Sequence, residues 1–225
     1  MKTLTMIILL FTSTAHATSE LSLNGVSLSS SLEGTNQTTQ AKGTINSSDQ
    51  VSTGLGYKWF LNSRIHLLFG LIQEKYDFKI DDALSSGEST INANEFSVGI
   101  RIVASPKVAF SLVSKQKQDI AFKINALGFV ELFQEELNIL NFQYNQVLMQ
   151  FRAFNIGFDA FYDFSASGSE IENRIAYGGR VYSVIGRSSH RLRIAAGKSL
   201  IEKEIPNLDI KQSTSLASLE YLFRF

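Results

Sequence analysis

Apolar and polar residues alternate along most of this 225-residue chain with a period of two. In the clearest run, 154–164, the apolar positions from Phe154 to Phe164 have Asn155, Gly157 and Asp159 between them. A period of two places the two sets on opposite faces of a β-strand. The same pattern recurs in segments 51–60, 65–72, 96–103, 108–113, 175–182, 192–197 and 217–225. The sequence therefore predicts an all-β protein.

The second face of these predicted strands carries mostly Gly, Ser and Ala with an occasional charge, as at Gly54, Gly56 and Gly99. A sheet facing water would instead be rich in Lys, Glu and Thr. Small side chains with a few charges fit the lumen of a narrow barrel whose outer face meets lipid. A soluble barrel is the alternative.

Short and long connections alternate between the predicted strands. Short ones fall near 61–63, 104–106, 152–153 and 186–190, and long polar ones at 33–49, 79–92, 115–135, 165–173 and 201–208. With a first strand near 21–32, the count is ten. We predict a transmembrane, antiparallel, up-and-down β-barrel of about ten strands, with short periplasmic turns and longer extracellular loops.

Segment 114–153 is the least regular part of the pattern. Residues 129–142 also fit an amphipathic helix, with Phe129, Leu132, Phe133, Leu137 and Leu140 near one face. Two long strands are preferred here, because a pair of strands completes a hairpin and keeps the strand count even. A helix in an external loop and an eight-stranded barrel are the alternatives.

The first 17 residues have the features of a secretory signal peptide. Lys2 precedes the apolar run 4–11, and Ala15 and Ala17 match a small-x-small cleavage site. The apolar run is too short for a spanning helix of about 20 residues. We predict a signal peptide over 1–17 and a barrel domain over 18–225.

Aromatic residues are expected at both membrane interfaces of a spanning barrel. Near the short turns they are Tyr57, Trp59, Tyr221 and Phe223, and near the long loops Tyr76, Phe78, Tyr162 and Phe164. This grouping predicts two aromatic girdles.

The chain ends with apolar residues at every second position: Leu219, Tyr221, Phe223 and Phe225. This ending resembles the C-terminal strand of bacterial outer-membrane β-barrels, and the overall pattern resembles the small barrels of the OmpA-transmembrane, OmpX and OmpW-like kind. The resemblance implies an outer-membrane location, contact with outer-membrane lipid, and the barrel-assembly machinery as partner during insertion. Loop ligands are not indicated.

The composition argues against several classes of partner and site. The chain has 21 basic and 21 acidic residues, so nothing favours nucleic acid as a partner. It has no cysteine, which excludes disulfides, thiolate metal sites and a cysteine nucleophile. We expect no cofactor.

No group of residues predicts catalysis or metal binding. The two histidines after the leader, His66 and His190, both lie near predicted periplasmic turns, and Ser188 and Ser189 are too close to His190 in sequence to suggest a triad. The acidic pairs Asp81–Asp82, Asp159–Asp163 and Glu202–Glu204 are interpreted as solvated or lumen charges. We expect no catalytic residue and no metal ligand.

The strand positions that face inward carry charged side chains of both signs, which places these charges in the lumen. We predict a salt-bridge network there, because unpaired charges cost much free energy in a low dielectric. Its members are Arg101, Asp159, Arg180, Arg193, Glu220 and Arg224, with Lys58, Glu74 and Asp163 also facing inward. The sequence favours a non-enzymatic barrel with an envelope-structural or surface-contact role. A narrow channel for ions or small apolar solutes is the alternative, and a lipid-modifying or proteolytic barrel is a third hypothesis.

Overall fold

The computed structural model describes residues 19–38, 40, 42–82, 85–124, 130–166, 168–187 and 189–225. The predicted signal peptide lies outside them and stays a prediction. The structure has ten strands: β1 Ser19–Asn36, β2 Lys42–Phe60, β3 Ile65–Asp82, β4 Ser85–Ser105, β5 Val108–Ile124, β6 Val130–Gln150, β7 Phe154–Ala166, β8 Asn173–Arg187, β9 His190–Ile205 and β10 Leu208–Arg224. Over the described ranges, no helix is long and apolar enough to cross a membrane.

Every strand pairs antiparallel with its neighbours in sequence, and β1 pairs with β10 to close the barrel. The seam is fastened at its end by Ser19 N–H donating to Phe225 O (2.8 Å) and Phe225 N–H donating to Ser19 O (2.9 Å). Closure removes the unpaired strand edges that a spanning sheet could not leave in lipid. The all-β, ten-stranded prediction is confirmed. The helix considered for 129–142 is wrong, because those of its residues that the structure describes belong to β6.

We call the rim that carries Ser19 and Phe225 the terminal end and the opposite rim the loop end. The terminal end carries the connections β2–β3, β4–β5, β6–β7 and β8–β9, and the loop end carries β1–β2, β3–β4, β5–β6, β7–β8 and β9–β10. Most of the polar segments 33–49, 79–92, 115–135 and 201–208, predicted as long loops, therefore belongs to strand extensions, whereas most of 165–173 lies between β7 and β8. Hydropathy could not distinguish these strand extensions from loops, because a strand that faces water is as polar as a loop.

The outer face carries a belt of apolar side chains, which we call the apolar belt. On β3 it comprises Ile65, Leu67, Phe69 and Leu71, after which the outward positions change to Gln73, Lys75 and Asp77. The same change follows Phe96 on β4 and Leu112 on β5. Each of these strands thus has an apolar part near the terminal end and a polar extension beyond it.

The ladder between β4 and β5 stops before the strands do. It runs from Ser105↔Val108 to Glu95↔Lys117, whereas β5 stays paired with β6 as far as Ile124↔Val130. We call residues 118–124 and 130–138 the β5–β6 hairpin. Ile120, Ala121 and Phe122 are all buried, although consecutive strand residues point to opposite faces, so both faces of the hairpin are covered.

The β5–β6 hairpin crosses the mouth of the barrel at the loop end. Phe122 lies so close to Gly34 of β1 that a Cβ there would be 2.5 Å from the ring carbon Cζ. Side chains from the hairpin, from the walls around it and from the β7–β8 connection form one apolar cluster, the mouth cluster: Leu32, Ile45, Tyr76, Phe78, Ala93, Ile120, Ala121, Phe122, Leu137, Ile139, Ile171, Ile205, Leu208 and Ile210.

Candidate functional site: the lumen

The lumen near the terminal end contains a buried carboxylate between two cations. Glu20 of β1 is 3% exposed. Its Oε1 accepts a hydrogen bond from Lys58 Nζ at 2.5 Å, and its Oε2 accepts one from Arg191. Strand pairing explains the meeting, because Glu20 lies opposite Lys58 in β2 and β9 follows β10 around the wall. The triad joins three strands across the β1–β10 seam.

A second ion cluster lies around Asp159 of β7. Its Oδ2 accepts hydrogen bonds from Arg180 Nε (2.8 Å) and from Arg193, and Asn145 Nδ2 donates to its Oδ1 at 2.5 Å. Arg193 also reaches Glu220 at 3.4 Å. Four strands, β7 to β10, are thereby linked by charge-assisted hydrogen bonds, which are stronger than neutral ones.

Two residues predicted for this network are placed differently. Arg101 donates to the Asn145 amide oxygen at 3.0 Å, so it reaches Asp159 only through a neutral side chain. Arg224 lies at the terminal rim with its guanidinium 4.8 Å from the centre of the Phe60 ring, a cation–π arrangement. The structure thus brings Asp159, Arg180, Arg193 and Glu220 into direct contact.

A third cluster, beneath the β5–β6 hairpin, escaped the sequence analysis. Asp119 of β5 accepts from Arg174 Nε at 2.6 Å and from Lys203 Nζ at 3.0 Å. The side chains of these three residues are between 0% and 7% exposed. Lys203 Nζ also donates to the Ile120 carbonyl oxygen at 2.5 Å, where β5 has no β4 partner. The cluster ties the hairpin to β8 and β9 on the far side of the barrel.

Asp163 and Glu74 extend this layer of charge. Asp163 lies 3.4 Å from Lys115 Nζ and 3.8 Å from Arg174. Glu74 lies 2.8 Å from Lys117 Nζ and accepts a hydrogen bond from the Tyr76 hydroxyl. Lys115 and Lys117 of β5 thus reach β7 and β3, which lie beyond the adjacent strands β6 and β4, and the charges in this part of the lumen are paired.

A carboxylate on the second strand of the hairpin also ties it to the connection between β7 and β8. Glu135 of β6 accepts backbone hydrogen bonds from Ser169, Glu170 (3.1 Å) and Ile171 (2.7 Å) in the connection between β7 and β8. Partial burial alone would raise the pKa of Glu135, but these hydrogen bonds favour the charged form and lower its pKa. Glu135 lies in the polar extension, beyond the apolar belt.

The aromatic residues divide between the two faces. Tyr162 and Phe164 are exposed on the outer face at the upper margin of the belt, and Tyr57 and Trp59 are half-buried near the terminal end. Tyr76 is not a girdle residue: it points inward into the mouth cluster and stacks on Phe78 at 5.8 Å. The strand phase gives the reason, because outward positions of β3 are odd-numbered.

The C-terminal strand presents its aromatic side chains outward. Leu219, Tyr221 and Phe225 are exposed, and Phe223 packs between Phe225 (5.6 Å) and the His190 ring (4.9 Å). His190 Nδ1 also contacts the Tyr221 hydroxyl. The seam therefore presents a largely apolar, aromatic surface on the outer face.

His66 and His190 lie near the terminal end, away from the buried acids of the loop end. His66 is buried near the terminal end and meets the Phe60 ring edge-on at 4.5 Å, while His190 is on the outer face. Among the residues that the structure describes, no three His, Cys, Asp or Glu side chains are grouped to hold a metal ion.

The phase of the sequence could have revealed part of what was missed. Odd positions of β5 face inward, so Lys115, Lys117 and Asp119 follow from the phase of 108–113 once that strand is extended. Glu20 had no comparable signal, because the first strand is irregular in sequence. The contact between Asp119 and Lys203 joins residues 84 positions apart, and no local pattern encodes it.

No family model and no curated protein matches the chain. Solved structures do match. The outer membrane protease OmpT from Escherichia coli is 9% identical, with a TM-score of 0.54 over 95% of this chain and 98% of that chain. An outer membrane channel from Pseudomonas putida F1 is 9% identical, with a TM-score of 0.56 over 92% of this chain and 95% of that chain. The chain has the fold of bacterial outer-membrane β-barrels.

Proposed function

We propose that the chain is a non-enzymatic outer-membrane β-barrel with a closed lumen, which contributes to envelope structure and presents its polar extensions for surface contacts. The terminal end then faces the periplasm and the loop end the exterior. The closed wall and the apolar belt support a membrane-spanning barrel. We further propose kinship with the small OmpA-transmembrane, OmpX and OmpW-like barrels, on the C-terminal pattern from Leu219 to Phe225.

The observation that carries the closed lumen is the plug at the loop end. The mouth cluster fills the opening with apolar side chains, and Asp119, Arg174 and Lys203 fasten the hairpin beneath it. Nearer the terminal end, the Asp159 and Glu20 clusters line the wall of the lumen with paired charges. A hydrated ion entering at the loop end would have to separate the buried pairs of Asp119, which costs several kcal/mol for each broken pair.

The surface-contact role is supported by how far the strands extend. β3 continues for eleven residues past Leu71, which is roughly 25 Å along the barrel axis at the usual rise and tilt. Its outward residues in that stretch include Gln73, Lys75 and Asp77. A tall polar sheet above the belt offers a large surface to partners in water.

A non-enzymatic role is favoured by where the titratable groups lie. The buried carboxylates of the loop end are held by cations, as Asp119 is by Arg174 and Lys203. Both described histidines, His66 and His190, are near the other rim. General acid–base chemistry needs a base within hydrogen-bond reach of an accessible substrate. Incubating the folded barrel with phospholipid, lipid A and peptides should give no turnover.

Planar-bilayer recording tests the closed lumen and decides against the channel alternative. We expect no stepwise conductance from the intact barrel. A control in which residues 119–135 are replaced by a short turn should produce stepwise openings, because it lacks the plug while keeping the apolar belt. Stable conductance steps from the intact protein would overturn the proposal in favour of a channel.

A further inference from the structure

The gap between β4 and β5 is bridged by side chains in place of the missing ladder. Gln118 Oε1 accepts from the Asn94 backbone N–H at 3.1 Å, and Gln134 Nε2 donates to the Asn92 carbonyl oxygen at 2.7 Å. Backbone groups of β4 that have no partner in β5 thus form hydrogen bonds with side-chain amides of the hairpin. At this place side-chain hydrogen bonds join the strands where the backbone ladder has ended.

Directly beside this gap, the outer face has a groove of about 640 Å³. Its floor is apolar and comes from the belt: Leu55, Leu71 and Phe96. Between 37% and 49% of each of these residues is exposed. The volume lies within the range of about 300–1,000 Å³ that is usual for small-molecule sites. The groove can therefore hold an alkyl chain against the wall.

The rim of the groove is polar and rich in amides. Gln73, Asn94 and Gln116 line it together with Glu136, which accepts a hydrogen bond from Gln116 Nε2. The twelve lining residues include no Lys or Arg, so an anionic head would meet a carboxylate without a compensating cation. Amides donate and accept equally well, which suits hydroxyl groups.

The groove spans the boundary of the apolar belt. On β3 the change from apolar to polar falls between Leu71 and Gln73, and on β4 between Phe96 and Asn94, and all four line the groove. A ligand here would have its chain at the depth of hydrocarbon and its head at the depth of lipid headgroups. We propose that this groove binds one amphiphile with a single alkyl chain and an uncharged, hydroxyl-rich head. The proposal rests on the membrane-spanning placement proposed above, and because the site is on the outer wall its occupancy is measured separately from conductance through the lumen.

Fluorescence quenching by a brominated ligand tests the site. Trp59 is the single tryptophan of the chain, so a Trp59→Phe background allows one reporter at a time. Phe96→Trp places it in the groove, and Val181→Trp places a matched control on β8, where residue 181 is exposed on the belt. A brominated monoacylglycerol titrated into phosphatidylcholine vesicles should quench the groove reporter saturably and the control only in proportion to its bilayer concentration.

Three results would overturn the proposal. Proportional quenching at both reporters would mean ordinary bilayer lipid only. Equal saturation by the matching brominated lysophosphatidic acid would refute the uncharged head. The Gln73→Leu, Gln116→Leu double variant should bind the ligand about tenfold more weakly or worse, because two hydrogen bonds are lost. An unchanged midpoint of its quenching titration would show that these amides do not recognise the head.

The unmodified chain supplies an independent measurement, should a reporter variant fail to fold. A monoacylglycerol with a photoreactive group at the end of its chain is irradiated with the folded barrel in the same vesicles. Adducts should concentrate on β2, β3 and β4, at peptides containing Leu55, Leu71 and Phe96. Adducts spread evenly around the belt would overturn the proposal.

Discussion

Removing the Asp119 carboxylate should release the β5–β6 hairpin from the far wall. In Asp119→Ala, Arg174 loses a 2.6 Å partner and keeps only Asp163 at 3.8 Å, while Lys203 loses a 3.0 Å partner and keeps the Ile120 carbonyl. Two buried cations then lack their shared anion. Breaking a buried ion pair from one side costs about 3–5 kcal/mol, which corresponds to a factor of a hundred or more in the opening equilibrium.

Hydrogen–deuterium exchange of the hairpin amides measures this opening directly. Asp119→Ala should lower their protection by that factor while the strands of the apolar belt keep theirs. Asp77→Ala is the matched control, because its carboxylate contacts Lys75 (3.1 Å) and Thr90 (2.6 Å) on the exposed outer face and should leave the hairpin unchanged. Similar protection in both variants would refute the reasoning.

A compensated variant separates unpaired charge from lost packing. Asp119→Leu combined with Arg174→Met and Lys203→Met removes all three charges and keeps side chains of similar length. Because apolar replacement of a complete buried ion cluster is often neutral or stabilising, protection of the hairpin should largely recover. Protection as low as in Asp119→Ala would mean that shape, and not charge, was the cause.

Three further predictions concern other parts of the barrel. Arg193→Met should destabilise the barrel to urea by about 2–3 kcal/mol, because Arg193 joins Asp159 to Glu220 inside the lumen; a variant more stable than wild type and no leakier would contradict this. The Glu135 anchor should be intact above the ordinary glutamate pKa of about 4.3 and be lost as the pH falls below it, since its pKa is lowered in the fold. Exchange in 168–172 should therefore rise in acid for the wild type, whereas Glu135→Gln should show no such pH dependence. Deleting Phe225 should reduce the fraction of barrel that migrates as folded in unheated gels of outer membranes, and an equal folded fraction would count against the role of the terminal strand.

Alternation with period two predicted the class of fold, and together with the spacing of the connections it predicted ten strands. It worked because lipid outside and a narrow lumen inside impose opposite preferences on successive residues, as between Phe158 and Asp159. The prediction failed where that contrast fades. Between the belt and the loop end the outer face meets water. Polar strand extensions such as 85–94 of β4 therefore have the composition of loops.

The inward charges were predictable as a set but not as pairs. Strand phase placed Asp159, Arg180 and Arg193 inside, yet their distances depend on the register and shear of the closed barrel. Tyr76 shows a simpler limit: nearness to the loop end suggested a girdle, whereas its even position in β3 directs it inward. Phase is the stronger of the two criteria, because a strand cannot rotate one residue without moving all its neighbours.

The plug and the outer groove follow from one bend of the chain. When β5 leaves β4 beyond Lys117, its apolar residues Ile120 and Phe122 enter the mouth, and the wall they leave becomes the gap beside Asn94. Straightening the hairpin to restore the ladder would withdraw the mouth cluster from the lumen. Closure of the lumen and opening of the groove are thus coupled by geometry, and a ligand that prefers the open groove would also stabilise the plug.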